Sequence, residues 1–527
     1  MTVTYLLIAF GAIIAALLFT LVCVRGPFAV FQQEGYCGRA YLKWYFRSAN
    51  VLRKRFSLLT LALVLLTALF GLCFAFLGVM GSEILQGVAF VGVTLAFFLI
   101  SKKAAKVPFR ATHRAVRLAV CFFLLCFGIV FGACVGLYYA AEALGGKIYA
   151  ILRYLPVTLL PLIFPLLICL ASAVMSVYEI PRSKSFIRRA KRALEKSVCV
   201  KVGITGSFGK TSVKHYAAAL LEGKYRVFAT PASYNTPIGI AKCVNEKGLD
   251  CDIFLAEMGA RRVGDIEELC DMVGPKYAVV TGVCPQHLET FGSIENIRAE
   301  KGVLARRAEI AVLGTTAADM KREGSLVEGE DFAAENVTLS QDGTSFTLRI
   351  GEARMPVKTA LLGRHAAEDI VLAAALCHLL GVSLEELAQR IETLKPVPHR
   401  LERIEGNGVH ILDDSYNSNV EGARDAVEVL KLFKGKKYVV TPGLVELGEL
   451  EEAANSALGA SFTGLDGVIL VGETLVLSVR SGYLDAGGDA EKLRIVPTLE
   501  AAQEVLAEEL SEGDCVLFLN DLPDKYL

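Results

Sequence analysis

The chain has 527 residues, with 55 Lys/Arg against 55 Asp/Glu, so its formal net charge is zero. That balance leaves no overall basic excess for a nucleic-acid partner, and none is expected. Hydrophobic residues make up 53% of the sequence, and the fourteen scattered cysteines contain no C-x-x-C pair, so neither a zinc ribbon nor a disulfide framework is suggested.

Five apolar segments free of charged residues fill the first third: residues 4–24, 58–80, 84–100, 118–141 and 154–178. Four exceed about 18 residues, the length that crosses a membrane core, and the third lies near that limit. Residues 1–180 are therefore expected to form a five-helix transmembrane region. The first segment lacks a basic leader, which favours a retained helix over a cleaved signal. Loop 25–57 carries seven Lys/Arg, loop 101–117 six, and stretch 179–196 seven, against Lys147 and Arg153 alone on the alternate loops. The excess of basic residues on one set of loops predicts an external N-terminus and a cytoplasmic segment 179–527 in a multi-pass protein of the cell membrane. The bilayer is then the first expected partner, and residues 181–197 read as a basic linker touching anionic headgroups.

Beyond the linker the pattern changes. The β-branched run Val198–Ile204 leads into Thr205-Gly-Ser-Phe-Gly-Lys-Thr-Ser212 and then the helical stretch Val213–Glu222. Strand, glycine-rich turn and helix together form a phosphate cradle, with backbone N–H groups converging at a helix N-terminus. Lys210 would set a cation on the phosphates and the Thr211 hydroxyl would face Mg²⁺. A strict P-loop has its first glycine where this chain has Ile204.

The stretches Ile253–Glu257, Tyr277–Thr281 and Ile310–Gly314 read as buried strands of a parallel sheet, with helices at Asp265–Val273 and Ser293–Arg307 between them. A more irregular section, 325–361, holds strand-like pieces such as Ser345–Ile350, and 366–380 is helical. Pro396-Val-Pro398 marks a domain boundary. Strands are expected again at Val409–Leu412, Lys437–Thr441, Val468–Val471 and Cys515–Leu519. The fold class is thus a helical membrane region followed by α/β twice over: a phosphate-loop domain over 198–395 and a Rossmann-like domain over 396–527.

Several polar residues fall where such a fold places ligands. Glu257 ends a buried strand and could hold Mg²⁺, or only cap a turn. His287 follows another strand end, Lys301 lies on the next helix, and Arg400 follows the domain break. Each alone reads equally well as a structural or surface residue.

Taken in order, the motifs resemble the Mur ligase family, closest to its member that adds D-alanyl-D-alanine to a UDP-linked tripeptide. The likeness rests on Thr205–Val213, Ser233-Tyr-Asn-Thr-Pro-Ile-Gly239, Ala256-Glu-Met-Gly-Ala260, His287–Ser293, Glu300-Lys-Gly302, Gly363-Arg-His365, Pro396–Arg400, Asp413–Asn419 and Glu446-Leu-Gly448. It implies an ATP-dependent carbon–nitrogen ligase working through an acyl phosphate. Gly206, Ser207, Gly209, Lys210, Thr211 and Ser212 would bind the ATP phosphates. Thr211, Glu257 and His287 would serve Mg²⁺, together with Lys301 in the position of a carbamylated lysine. Arg400 would steady the γ-phosphate, and His365, Asp414, Tyr416 and Asn417 would meet the nucleotide. The implied substrates are a lipid-linked or cell-wall precursor and an amino acid or peptide amine.

The chain departs from the family at both ends of its substrate site. The domain that holds UDP is replaced by membrane segments. The family's His-Asn-x-x-Asn reads His365-Ala-Ala-Glu-Asp369, and its Lys-Gly-Ser-Arg acceptor loop reads Leu519-Asn-Asp-Leu-Pro-Asp524. A poly-γ-glutamate type of polymer ligase and a scaffold with a retired site are the alternative expectations. A transporter is a weaker one, since no charge lies within the apolar segments.

Overall fold

The computed structural model describes residues 24, 26–46, scattered positions over 57–72, and 109–144, 155–232, 234–286, 288–406, 408–416, 419–445, 447–472 and 475–520. The first expected membrane segment, apart from Val24, and the whole of the third lie outside these residues, as does most of the second. The chain divides into two compact units at Arg182–Ser183.

In the first unit, two long helices cover His113–Leu144 and Leu155–Lys196, the second running on past the divide. Within them His113–Ala133 and Leu159–Lys196 are long and apolar enough to cross a membrane. Phe28, Phe31, Tyr41, Phe122, Phe164 and Ile168 pack inward. Leu124, Phe131, Leu166, Leu170 and Val174 face outward and exposed. The exterior of this helix pair is thus apolar like its interior. Arg117 binds Glu179 with two nitrogens, at 2.7 Å (Nε) and 2.6 Å (Nη2), tying the helices together where the apolar stretches end.

The second unit begins with a docked helix end. Residues 183–196 are helical, where the sequence reads as a linker. The reason is a helical stripe: Phe186, Ile187, Ala190 and Leu194 recur at one-turn spacing and pack against Cys243, Val244 and Phe254. The Asn245 side chain donates to the carbonyl of Phe186 at 3.0 Å.

Six parallel strands follow: β1 Val200–Thr205, β2 Val227–Ala229, β3 Ile253–Glu257, β4 Tyr277–Val280, β5 Ile310–Leu313 and β6 Leu326–Val327. Their order is β2-β3-β1-β4-β5-β6. The central strands are apolar on both faces because helices cover both. Lys210–Leu221 and Arg364–Leu379 pack on one face through Val213, Leu220, Ile370 and Leu376. Pro237–Lys247, Asp265–Val273 and Ile294–Arg307 pack on the other. The strand order reverses at β1, between β3 and β4, and such a switch point opens a crevice at the strand C-termini.

An antiparallel meander, β7 Phe332–Ser340, β8 Gly343–Ile350 and β9 Ala353–Thr359, lies between the two α/β layers in sequence. A second six-stranded sheet follows, made of β10 Glu402–Gly406, β11 Val409–Asp414, β12 Lys437–Thr441, β13 Gly467–Val471, β14 Leu493–Val496 and β15 Cys515–Leu519. Its order is β10-β11-β15-β12-β13-β14, with only β10 antiparallel to its neighbour. The connection between the halves is irregular from Glu392 to Leu401, and His399 and Leu401 carry positive φ angles of 63° and 47°.

Candidate active site

The phosphate loop hangs from the C-terminus of β1, whose last four residues are buried. Two glycines make its turn possible. Gly206 has φ 153°, and a Cβ there would stand 1.9 Å from Thr281 Oγ1; Gly209, at φ 71°, starts the helix Lys210–Leu221. The adjacent end of β4 fastens the loop. Ser207 N donates to Gly282 O at 2.8 Å, and the Thr281 hydroxyl donates to Phe208 O. Lys210 folds back onto its own loop, donating to Gly206 O at 2.7 Å and Ser207 O at 3.3 Å. Burial pulls its pKa down, with Glu257 opposing.

Glu257 is the anionic hub. It ends β3 directly beside Ile204 of β1 and is 1% exposed. Its Oε2 accepts from the Thr211 hydroxyl at 3.1 Å and from Lys214 Nζ at 2.8 Å, and its Oε1 accepts from Asn235 Nδ2 at 3.2 Å. Carboxylate and hydroxyl oxygens are hard donors that suit Mg²⁺, so Glu257 and Thr211 fit such an ion. Lys301 lies 4% exposed on the helix Ile294–Arg307 and lines the same cavity. Burial, reinforced by the Lys210 cation, lowers its pKa to about 7. Its neighbour Glu300 points the other way, accepting from Gly264 N and Ile266 N at 2.8 and 2.6 Å.

The second half closes the cavity, which holds about 380 Å³. Arg400 and Tyr416 line it, the guanidinium 4.6 Å from the centre of the tyrosine ring. Asp414, at the end of β11, accepts from Leu401 N at 3.2 Å and so fixes the backbone beside Arg400. His365 opens the helix Arg364–Leu379 and contacts Glu368 at 3.0 Å. Burial pulls its pKa down, but Glu368, Asp425 and Asp369 outweigh this and raise it to about 9.

The structure thus brings Ser207, Gly209, Lys210, Thr211, Ser212, Glu257, Lys301, His365, Arg400, Asp414 and Tyr416 to one cavity. Gly206 forms the loop behind it. His287 and Asn417 lie outside the described residues, although Gln286 reaches the cavity. Sequence reasoning missed Lys214 and Asp425, and noted Asp369 only as a departure from the family motif. Lys214 sits one helical turn beyond Lys210, a spacing that puts it on the same face. Asp369 is likewise one turn beyond His365. Asp425 accepts from Arg364 N and His365 N at 3.2 and 3.1 Å and carries no signal of its own in the sequence.

Comparison with known proteins agrees with this geometry. The Mur ligase middle domain matches residues 204–377, and the Mur ligase, glutamate ligase domain matches residues 399–520. The chain is 32% identical over 331 residues to the UDP-N-acetylmuramoyl-tripeptide–D-alanyl-D-alanine ligase of Escherichia coli (strain K12), covering 59% of this chain and 73% of that protein. It is 28% identical over 334 residues to the enzyme of the same name from Bacillus subtilis (strain 168), covering 60% and 72%. The crystal structure of MurF ligase from Thermotoga maritima in complex with ADP superposes with a TM-score of 0.58 at 27% identity, over 64% of this chain and 80% of that one. The chain belongs to the Mur ligase family and is an ATP-dependent carbon–nitrogen ligase.

Proposed function

We propose that the protein is a membrane-anchored amide ligase that extends a cell-envelope precursor of the peptidoglycan type at the cytoplasmic membrane surface. The observation that carries this reading is the convergence of Lys210, Glu257 and Lys301 from one half with Arg400 and Asp414 from the other around one cavity. Phosphoryl transfer asks a protein for alignment and charge neutralisation rather than covalent help, and these residues supply both.

A carboxylate oxygen of the precursor attacks the γ-phosphorus of ATP. The bond to the β,γ-bridging oxygen breaks, ADP leaves, and an acyl phosphate forms. The incoming amine then attacks the acyl carbon, phosphate departs, and the amine's surplus proton passes to solvent. Lys210 neutralises the phosphates from the loop side, and Arg400 approaches from the second half. Glu257 and Thr211, with His287 and a carbamylated Lys301, would hold Mg²⁺, which when bound supplies charge neutralisation at the phosphate oxygens. Carbamylation needs an uncharged amine, and the lowered pKa of Lys301 supplies it near neutral pH. Closure of the second half over the first would keep water from the acyl phosphate.

The family matches cover residues 204–377 and 399–520, and the part of the chain ahead of residue 204 lies outside them. Two long apolar helices lie there, and the loops flanking the apolar segments carry the basic excess. Both support a precursor presented at the membrane, with the ligase halves on the cytoplasmic side where ATP is available. Phosphate release from ATP by the full-length protein tests this reading, measured against lipid-linked and UDP-linked envelope precursors with a panel of amino acids and dipeptides. Release that depends on a precursor together with an amine is expected. Release indifferent to every precursor would overturn the assignment.

A further inference from the structure

Beside the phosphate loop lies an acid that the proposed chemistry does not use. Asp369 lies in the second turn of the helix Arg364–Leu379, and its carboxylate rests against the backbone of Gly209. A Cβ built on that glycine would stand 2.3 Å from Asp369 Oδ1. The carboxylate hydrogen-bonds the Ser212 side chain and lines the cavity beside Lys210, Thr211 and Arg400. Asp369 is half-buried, with its exposed side on the cavity. The charged and titratable groups that face it are Lys210 from the phosphate loop, Tyr216 from the helix that follows, His365 and Glu368 from its own helix, and Arg400 from the second half.

Nucleotide phosphates must lie against the same backbone. A like charge held within contact range of them opposes their binding, and a partly dry site strengthens that opposition. When no nucleotide is present, the same carboxylate lies in the field of Lys210 and Arg400 and offsets their mutual repulsion.

We propose that Asp369 sets the nucleotide affinity of the site: its carboxylate competes with bound phosphates for the Lys210 and Arg400 cations, weakening ATP and ADP alike and speeding release of spent ADP. Burial raises the Asp369 pKa to about 7, with His365 and Arg400 opposing, so the carboxylate is mostly ionised at pH 8 and mostly neutral at pH 6.

Calorimetric binding of ADP and of adenosine to the full-length protein in detergent tests this. At pH 8, Asp369→Asn, which keeps the shape and the Ser212 hydrogen bond, is expected to bind ADP about tenfold more tightly than the parent, the effect of removing roughly one like charge at this range. Asp369→Ala is expected to tighten ADP in the same direction. Adenosine, which is neutral and has no phosphate for the carboxylate to repel, should change by less than about twofold. The gap between parent and Asp369→Asn should narrow at pH 6. ADP binding no tighter in both variants, or equal tightening of ADP and adenosine, would overturn the proposal. A Lys210→Ala control separates the two readings: loss of ADP binding there keeps the nucleotide site whatever Asp369 does.

Discussion

Lys214 Nζ lies 2.8 Å from Glu257 Oε2, with the two side chains 5% and 2% exposed. The same ammonium donates to Ala232 O at 2.6 Å, in a loop where Ala232 is held at a positive φ of 44°. One buried lysine therefore links the phosphate-loop helix, the strand-end carboxylate and the loop that carries Asn235. Removing one partner of a buried pair leaves an uncompensated charge. Lys214→Met is expected to lower stability by about 3–5 kcal/mol, whereas replacing both partners, as in Lys214→Met with Glu257→Gln, should recover part of the loss. Thermal unfolding of the two variants measures this, and equal losses in both would show that the pair is not coupled.

Much of this architecture was legible in the sequence, for reasons that differ between elements. Ile253–Glu257, Lys437–Thr441 and Cys515–Leu519 are apolar runs buried on both faces, and their bounds match the structure. The edge strands Val227–Ala229 and Leu326–Val327 are too short to carry a period. Residues 183–196 misled because their basic composition hid an apolar stripe that only matters once a domain covers it. In the site, Gly206, Gly209 and Lys210 announce themselves by local spacing. The role of Asp369 comes from a helix about 160 residues further on lying across the loop, and no local pattern encodes that contact.

The His365–Glu368 contact gives the fold a dependence on pH. The folded-state pKa of His365 is raised to about 9, above the roughly 6.5 of an unfolded histidine. A group raised in the folded state stabilises fully below its unfolded pKa, and that contribution is lost as pH rises through the folded value. The side chain is 33% exposed, so solvent screening reduces the effect to about 1 kcal/mol. His365→Gln should therefore lower the unfolding temperature more at pH 6 than at pH 9.5. The same deficit at both values would mean that the charge on His365 contributes nothing.

The proposed topology rests on the basic loops and on the helix Leu155–Lys196, whose apolar part leads into seven basic residues over 179–196. A fusion reporter at residue 527 that works only in the cytoplasm should be active, and one that works only outside should be silent. The reverse pattern would place the ligase halves away from ATP and sink the membrane-surface reading.

Lys301 offers the sharpest test of the chemistry. Its amine is nearly enclosed, and burial together with Lys210 lowers its pKa to about 7. An ammonium there would repel a bound cation, whereas a carbamate would attract it. Below pH 7 the amine is protonated and cannot add CO₂; above it, the neutral form can. Activity should therefore depend on CO₂, and this requirement should sharpen as pH falls below about 7. Lys301→Ala should lose activity by about 10²-fold or more, a loss in keeping with removing a group that stabilises transition-state charge. Acetate or formate should restore part of it by standing in for the carbamate. Lys301→Glu should restore less, because its side chain is shorter than a carbamylated lysine. Mass spectrometry of intact protein held in bicarbonate provides a reading independent of turnover, an added CO₂ on the peptide that contains Lys301 after chemical trapping. Full activity of Lys301→Ala, together with no trapped adduct in the parent, would leave Lys301 as a buried helix residue and require another anion beside Glu257.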